Sequence, residues 1–302
     1  MIKIGTRASR LAVFQAEILK KKLIKAFDFS DEEILIKKIT TTGDKIKDKN
    51  LYQVGGKGLF IKELEEALLS GVIDIAVHSL KDVPAIIPER LKIASIIDKG
   101  SSLDAFLSTK SRSFIDLPEN AVLGTSSPRR AAQVLNLRPD IKIVPFRGNV
   151  DTRINKLNSN IVDATILSAA GLQRLNFSQD LYSVLDSDFM VPAIGQGVVC
   201  AECREGDEKV LSLLSVINDV ESYKLSVCER AVLEGLGASC KTPLGGYAWI
   251  QGGEMHLKCL VGKYDGSEII KVHNSGPTSA YETIGKVTLE KLKSAMSTNF
   301  FD

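Results

Sequence analysis

Six arginines, an aspartate beside a lysine, and a cysteine in a glycine-rich loop are the residues of this chain whose types and settings could do chemistry: Arg7, Arg129, Arg130, Arg147, Arg153 and Arg174, then Lys81-Asp82, then Cys240. Arginine is the minority base, 12 residues against 27 lysines, yet these six fall near predicted strand ends or the starts of helices that follow them. A guanidinium is permanently charged and forks onto carboxylates, and a helix start such as Ser127-Pro128-Arg129-Arg130 adds N–H donors and a dipole that favours an anion. A solvated surface would account for any one of them. Six at equivalent places in two runs of one pattern point to a ligand with several carboxylates or phosphates. The glycine loop of a phosphate site is missing: Gly55-Gly56-Lys57-Gly58 lacks the leading Gly and the Ser/Thr after Lys, and Gly235–Cys240 lacks the third Gly of a dinucleotide fingerprint. Carboxylates are therefore the expected ligand groups.

His78-Ser79-Leu80-Lys81-Asp82-Val83-Pro84 closes a predicted strand. A carboxylate there could exchange protons or stabilise a facing cation, with Lys81 and nearby N–H groups setting its pKa; an Asx-type turn before Pro84 explains the same residues. Cys240 sits in Gly237-Ala238-Ser239-Cys240-Lys241-Thr242-Pro243-Leu244-Gly245-Gly246 beside a cation. That setting favours the thiolate, the form that attacks carbon electrophiles, although single loop cysteines are often inert. Cys200-x-x-Cys203 has metal spacing, but no second pair or nearby His completes it, so it reads as two buried thiols and no metal site is expected. His78, His256 and His273 are far apart in sequence.

Elements must position these groups. Ile2–Gly5 reads as a strand and Ser9 as the N-cap of a helix carrying Leu11, Phe14, Ile18 and Phe27; Ile34–Thr40 is a second strand, Phe60 to Leu68 line a helix closed by Gly71, and Ile73–Val77 is a third strand. The pattern restarts with strands at Ala121–Gly124, Ile141–Pro145 and Asp163–Ser168 and a helix after Ser127. Alternation of this kind predicts mainly parallel sheets with ligands beyond the carboxyl ends of the strands. Connections at Asp98–Ser102 and Val191–Gly197 cross between the two α/β parts, which suggests a hinge. Beyond about residue 220 a helix, a Gly-rich loop, strands near Tyr247–Ile250 and Met255–Val261, and a helix from about Thr278 make a small α+β unit. The 302 residues, 44% hydrophobic and 25% charged, fit an ordinary multidomain globular protein, and a net +2 is too balanced for nonspecific nucleic-acid binding. The absence of a membrane-length apolar run, the strand-like start Met1–Gly5 and five sparse cysteines place the chain in the cytoplasm as an expectation.

Thr6-Arg7-Ala8-Ser9, Val54-Gly55-Gly56-Lys57-Gly58-Leu59-Phe60, Asp74 through Pro84, Gly124-Thr125-Ser126-Ser127-Pro128-Arg129-Arg130, Phe146-Arg147-Gly148-Asn149-Val150, Pro192-Ala193-Ile194-Gly195-Gln196-Gly197 and the Cys240 loop, taken in order, closely resemble the porphobilinogen deaminase (hydroxymethylbilane synthase) family over essentially the whole chain. The resemblance implies a transferase of tetrapyrrole (haem) biosynthesis that condenses four porphobilinogen molecules head to tail with release of ammonia, and then frees hydroxymethylbilane with water. It implies two periplasmic-binding-protein-like (type II) α/β domains, 1–97 plus 198–217 and 103–191, and a small α+β domain, 220–302. The implied cofactor is a dipyrromethane primer joined by a thioether at Cys240, with Lys81, Asp82, Thr125, Ser126, Ser127, Arg129, Arg130, Arg147 and Gly148 holding it. Arg7, Ser9, Arg147, Arg153, Arg174 and Gln196 are the implied substrate-binding residues and Asp82 the implied catalytic one. The implied enzyme is a cytoplasmic monomer whose partners are porphobilinogen and linear polypyrroles, with no nucleic acid, membrane or metal. The family often has paired glycines before the cysteine where this chain has Ala238-Ser239, so a loop needing φ > 0 there would not form as in relatives.

Two rival readings use the same residues. A ligand-binding protein on the same fold needs the cleft arginines but neither Asp82 nor a reactive Cys240. A cysteine-nucleophile acyl transferase needs a base near the thiol, and the nearest histidine in sequence, His256, falls in a predicted strand.

Overall fold

The largely buried run Ile2–Arg7 makes β1, and Ser9 then starts α1 (Arg10–Phe27) by accepting a hydrogen bond from the Ala12 N–H at 3.3 Å. In the computed structural model, which describes residues 1–45 and 61–301, these elements open the first of two compact units, Met1–Gly100 with Gly197–Tyr223. There follow β2 (Ile34–Ile39), α2 (Thr42–Lys45), α3 (Lys62–Leu69), β3 (Ile75–Ser79) and β4 (Leu91–Lys99), and the returning chain adds β10 (Val198–Arg204) and α7 (Glu208–Val216). The sheet order is β2-β1-β3-β10-β4, with β1, β2 and β3 parallel and β10 antiparallel to both neighbours. On one face Ile4, Ile75, Val77, Val199 and Ala201 pack with Leu19 and Leu23 of α1 and Leu214 of α7. The other face is split into two smaller apolar clusters, one around Ile61, Leu80, Ile96 and Cys200 and one around Leu64, Leu68, Ile73 and Ala76.

The second unit, Ser101–Gln196 with Lys224–Asp302, repeats that order in a sheet of β5 (Asp104–Ser108), β6 (Val122–Gly124), β7 (Lys142–Val144), β8 (Ala164–Ser168) and β9 (Ser183–Val184), arranged β7-β6-β8-β5-β9. Here α4 (Pro128–Leu137), α5 (Val150–Asn158) and α6 (Ala169–Arg174) make the connections. Three parallel strands followed by an antiparallel one, in both sheets, match the expected pair of α/β domains. The antiparallel β5 starts where its neighbours end: Asp104 pairs with Ser168, the last residue of β8.

The α+β part is an antiparallel sheet, β11 (Leu244–Gln251), β12 (Glu254–Gly262) and β13 (Ile269–Pro277), covered by α8 (Val220–Gly235) and α9 (Tyr281–Ala295). Leu225, Cys228 and Val232 of α8 share a core with Leu257, Cys259, Ile284 and Leu292. The helices approach closely at Gly285, where a Cβ would come 2.6 Å from the Cys228 carbonyl oxygen. This sheet is tied to the α4 side: Asn136 donates to the Gly266 carbonyl at 2.9 Å, and Gly246 N–H to the Pro192 carbonyl at 2.9 Å.

The third strand begins at Ile75 rather than Ile73. Ile73, though buried, finishes the turn after Gly71 (φ +72) by donating to the Ala67 carbonyl. β4, β5, β10 and β13 are not among the strands expected from sequence, and Lys57, Gly58 and the rest of the Val54–Phe60 motif lie outside the described residues. Among the described residues no helix is long and apolar enough to cross a membrane.

Glu229 on α8 is a buried fastener: its Oε2 accepts from Gly195 N–H at 2.7 Å and its Oε1 from Ala248 N–H at 2.8 Å. Glu229→Ala leaves two buried donors unsatisfied, so the urea midpoint is expected to fall by the equivalent of about 2–4 kcal/mol. An unchanged midpoint would contradict that role.

Candidate active site

Most of the candidate residues in each unit stand at or just beyond the carboxyl ends of parallel strands, where the chain turns and backbone N–H groups become available. In the first unit Arg7 ends β1, Ser79 ends β3, and a 3-10 turn, Leu80–Asp82, carries Lys81 and Asp82. A small pocket is lined by Arg7, Gln15, Ile61, Val77, His78, Ser79 and Asp82. The Gln15 side-chain amide of α1 donates to Ser79 Oγ at 2.9 Å, fixing the floor, while Asp82 is exposed at the rim. Ser9 is occupied as the α1 cap rather than turned toward this pocket's floor.

In the second unit, the loop after β6 is strapped to the end of β7. Thr125 N–H donates to the Val144 carbonyl at 3.0 Å, and Phe146 N–H donates to Ser126 Oγ at 3.0 Å. A Cβ at Gly124 would lie 2.5 Å from the Phe146 ring, so glycine permits this approach. Ser127 caps α4, accepting from Arg130 N–H, with Pro128 in the first turn. Gly148 (φ +125) and the Asn149 cap turn the chain into α5, and Arg153 Nε donates to the Gly148 carbonyl at 2.9 Å. Arg147 is half-buried in that loop, and Arg174 is at the C-terminal end of α6 rather than beside a strand end.

Arg129, Arg130 and Gln196 converge on Asp104, which sequence reasoning missed. Asp104 is fully buried; Oδ2 accepts from Arg129 Nη1 at 2.7 Å, and Oδ1 from Arg130 Nη2 at 2.6 Å, Arg130 Nε at 3.0 Å and Gln196 Nε2 at 3.0 Å. Arg129 also donates to the Val191 carbonyl and Arg130 to the Ile166 carbonyl, both at 2.7 Å. Burial alone would raise the Asp104 pKa, but the two guanidinium charges and the hydrogen bonds outweigh it and hold the carboxyl far below its usual range. Two cations against one anion leave one positive charge in excess within this buried group. The sequence signal was a lone Asp preceding the apolar run Ala105-Phe106-Leu107, masked by the polar residues Asp98–Ser102 just before it.

The Cys240 loop leads directly into β11, whose Gly246 is bonded to Pro192, one residue from the Val191 that holds Arg129. Ser239 N–H donates to Thr242 Oγ1 at 3.1 Å and Thr242 N–H to the Ser239 carbonyl at 2.9 Å, so the loop is internally braced. The positive φ falls on Gly237 (+58), and neither Ala238 nor Ser239 has one, so these two residues sit in the loop without that strain. Of the five cysteines only Cys240 is exposed. Burial pushes the Cys203 thiol up to about 11 and the Cys228 thiol up to about 12. Cys200 and Cys203 face opposite sides of β10, each in an apolar cluster, as two buried thiols. Among the described residues no cluster of three or more His, Cys, Asp or Glu could hold a metal ion.

Asp104→Asn keeps the shape and removes the charge, leaving buried guanidinium groups unpaired, so a loss of about 3–5 kcal/mol is expected on denaturant unfolding. Because the folded pKa is depressed, the ionised carboxyl stabilises the fold above the unfolded value of about 3.9 and that stabilisation is lost as pH falls below it. The wild type should therefore lose stability on acidification below about pH 4 more steeply than Asp104→Asn. Parallel acid limbs for the two proteins would contradict the pairing.

A family model described as "Porphobilinogen deaminase, dipyromethane cofactor binding domain" matches residues 2–212, and "Porphobilinogen deaminase, C-terminal domain" matches residues 223–294. The porphobilinogen deaminase of Orientia tsutsugamushi (strain Boryong) is 46% identical over 267 residues, 88% of this chain and 89% of that protein. That of Alkaliphilus metalliredigens (strain QYMF) is 43% identical over 284 residues, 94% of this chain and 89% of that protein. Among solved structures, the periplasmic VFT2 domain of Bordetella pertussis BvgS is 14% identical with a TM-score of 0.44, covering 78% of this chain and 92% of that one. An ancestral cationic amino acid solute binding protein is 18% identical with a TM-score of 0.44, covering 79% and 95%. With both family models matched in order across the two parts that carry Asp82, the arginines and the Cys240 loop, the chain belongs to the porphobilinogen deaminase family.

Proposed function

We propose that this chain is a hydroxymethylbilane synthase, a transferase that condenses four porphobilinogen molecules head to tail, releases ammonia at each condensation and frees hydroxymethylbilane with water. The observation that carries this reading is the single exposed thiol, Cys240, on a braced loop in the same unit as a buried arginine pair with one positive charge in excess. Those residues fit a polycarboxylate group bonded through sulfur. Bound at Cys240, a dipyrromethane supplies a primer end for condensation and acid side arms to be held.

The protein's own residues then divide the work. Arg129, Arg130, the capped N-terminus of α4 with Thr125, Ser126 and Ser127, the Arg147-Gly148 loop, and Lys81 hold the cofactor's carboxylates. Arg7, Ser9, Arg147, Arg153, Arg174 and Gln196 take those of arriving substrate, Gln196 acting through Asp104, to which its amide is bonded. When the carbon–nitrogen bond of porphobilinogen breaks, the electron pair leaves with ammonia and the methylene carbon carries a positive charge. Asp82, on the 3-10 turn at the carboxyl end of β3, faces that charge and lowers its energy. The same carboxylate is a base for the proton released on ring substitution. In this division 1–97 plus 198–217 form the catalytic-carboxylate domain, 103–191 the arginine domain and 220–302 the thiol domain. The enzyme works as a cytoplasmic monomer without nucleic acid, in keeping with its formal charge of +2.

Intact mass spectrometry of purified protein should show an excess over the sequence mass equal to two linked pyrrole units, and Cys240→Ser should show none. The bare sequence mass in the wild type would remove the thioether from the account. Asp82→Asn should keep the adduct but lose turnover by about 100-fold or more. Arg147→Lys should slow elongation, because a point charge does not reproduce the guanidinium fork.

A further inference from the structure

Behind the Asp82 pocket lies a titratable cluster that this chemistry leaves unused. His78 Nε2 and Glu202 Oε2 are 3.0 Å apart, with Glu202 fully buried and His78 5% exposed. The strand register explains the meeting: Cys200 pairs with His78 and Glu202 with Ala76, so the two side chains are diagonal neighbours on one face of the sheet. That face is covered by α3, whose Leu64 and Leu68 pack around Ala76.

Glu65 on α3 enters the same layer. Among the described residues its Oε1 is buried without a hydrogen-bond partner, and so is Oε1 of Glu202. Two carboxyl groups with buried, unpartnered oxygens cannot cheaply be ionised together in apolar surroundings. Burial first, and then the Glu202 charge, raise Glu65 to about 7; His78 opposes the rise and Glu66 adds to it. Other charged groups nearby are committed elsewhere. Arg204 of β10 is bonded to the Leu68 and Ile73 carbonyls and to Asp207, Lys62 pairs with Glu66, and Glu63 accepts from Thr42 through Oε1, which holds its pKa down, while its Oε2 is buried without a partner among the described residues. His78 belongs to both places, since it touches Glu202 and also lines the pocket with Asp82.

We infer that Glu65, Glu202 and His78 form a proton-holding unit behind the Asp82 pocket, positioning residues among which the exchangeable proton on Glu65 sets the field in which Asp82 faces a cation. The inference rests on the role proposed for Asp82. Loss of the Glu65 proton adds a negative charge behind the pocket in a region that screens it poorly, which favours a cation forming there. Turnover therefore rises as Glu65 ionises, and Glu65→Gln keeps position 65 uncharged.

The test compares wild-type and Glu65→Gln holoenzyme by kcat/KM for porphobilinogen from about pH 5.5 to about 9. A step near pH 7 is expected in the wild type and not in Glu65→Gln, which should stay several-fold slower above it. A merely structural glutamate would lower both limbs alike. Stability supplies a readout independent of activity. The folded pKa of Glu65 is raised, so its stabilisation is present below the unfolded value of about 4.3 and lost as pH rises to the folded value. Wild type should thus lose stability relative to Glu65→Gln over that interval. Should Glu65→Gln not fold, the carboxyl resonances of wild-type holoenzyme labelled with 13C-glutamate give the answer directly. Superimposable profiles of two active proteins, or no glutamate carboxyl titrating above about pH 6, overturn the inference. A wild type that carries no adduct and consumes no porphobilinogen overturns the activity reading instead, and the stability and carboxyl titrations still decide whether the unit holds its proton.

Discussion

A single buried carboxylate, Asp104, organises the charge of the second unit. Without it, Arg129 and Arg130 would be adjacent cations in a dry sheet edge, each with a large desolvation cost and each repelling the other. With it, both guanidinium planes are fixed by short bonds, and the group as a whole still carries excess positive charge. The arrangement exists because β5 runs against β8, which brings the first residue of β5 to the carboxyl edge where α4 begins. Gln196 and the Val191 carbonyl close the ring, so the same contacts that hold the arginines also hold the segment leading out of the sheet.

That segment links charge to sulfur. Val191 is held by Gln133 and Arg129, Pro192 accepts from Gly246, and the Cys240 loop feeds β11 a few residues upstream. The thiol loop and the arginine helix are therefore parts of one framework, and Glu229 reinforces it from α8 by holding Gly195 and Ala248 together. Selection of the thiol follows from burial. Three of the other cysteines have thiols pushed well up by their apolar surroundings, Cys200 is buried, and only Cys240 meets solvent.

Much of this was legible in the residues. Ser9, Ser127 and Gly71 mark helix boundaries by capping chemistry that acts locally, and they stand where expected. The arginines were visible as a group because their type and spacing repeat. The missed strands have two causes: β10 and β5 take their places by pairing with segments distant in sequence, and β13 alternates half-buried with exposed residues rather than apolar with polar ones. Asp104 and Glu202 escaped for the first of these reasons. Each is an acidic residue within an apolar strand, and only the register across the sheet shows that one meets two arginines and the other a histidine. The Ala238-Ser239 departure could not be judged from letters, since the positive φ proved to belong to Gly237.

A buried carboxyl group on one sheet and a half-buried one on the helix that covers the other show how environment divides one chemistry into opposite behaviours. Asp104 has two guanidinium partners and is held ionised far below its usual range. Glu65 meets another carboxyl and a histidine in an apolar layer, and is pushed up to about 7. Swapping their surroundings would swap their charge states, since the intrinsic affinities of the two side chains differ by only about half a pH unit. The difference is therefore set by which neighbours the strand register supplies. In the roles proposed above, the guanidinium pair at the edge of one sheet is a fixed anchor for acid side arms, and the carboxyl on the helix over the other sheet is an adjustable charge beside Asp82. A fixed anchor suits a ligand that must stay through successive condensations, and an adjustable charge suits a site where a cation repeatedly forms and disappears.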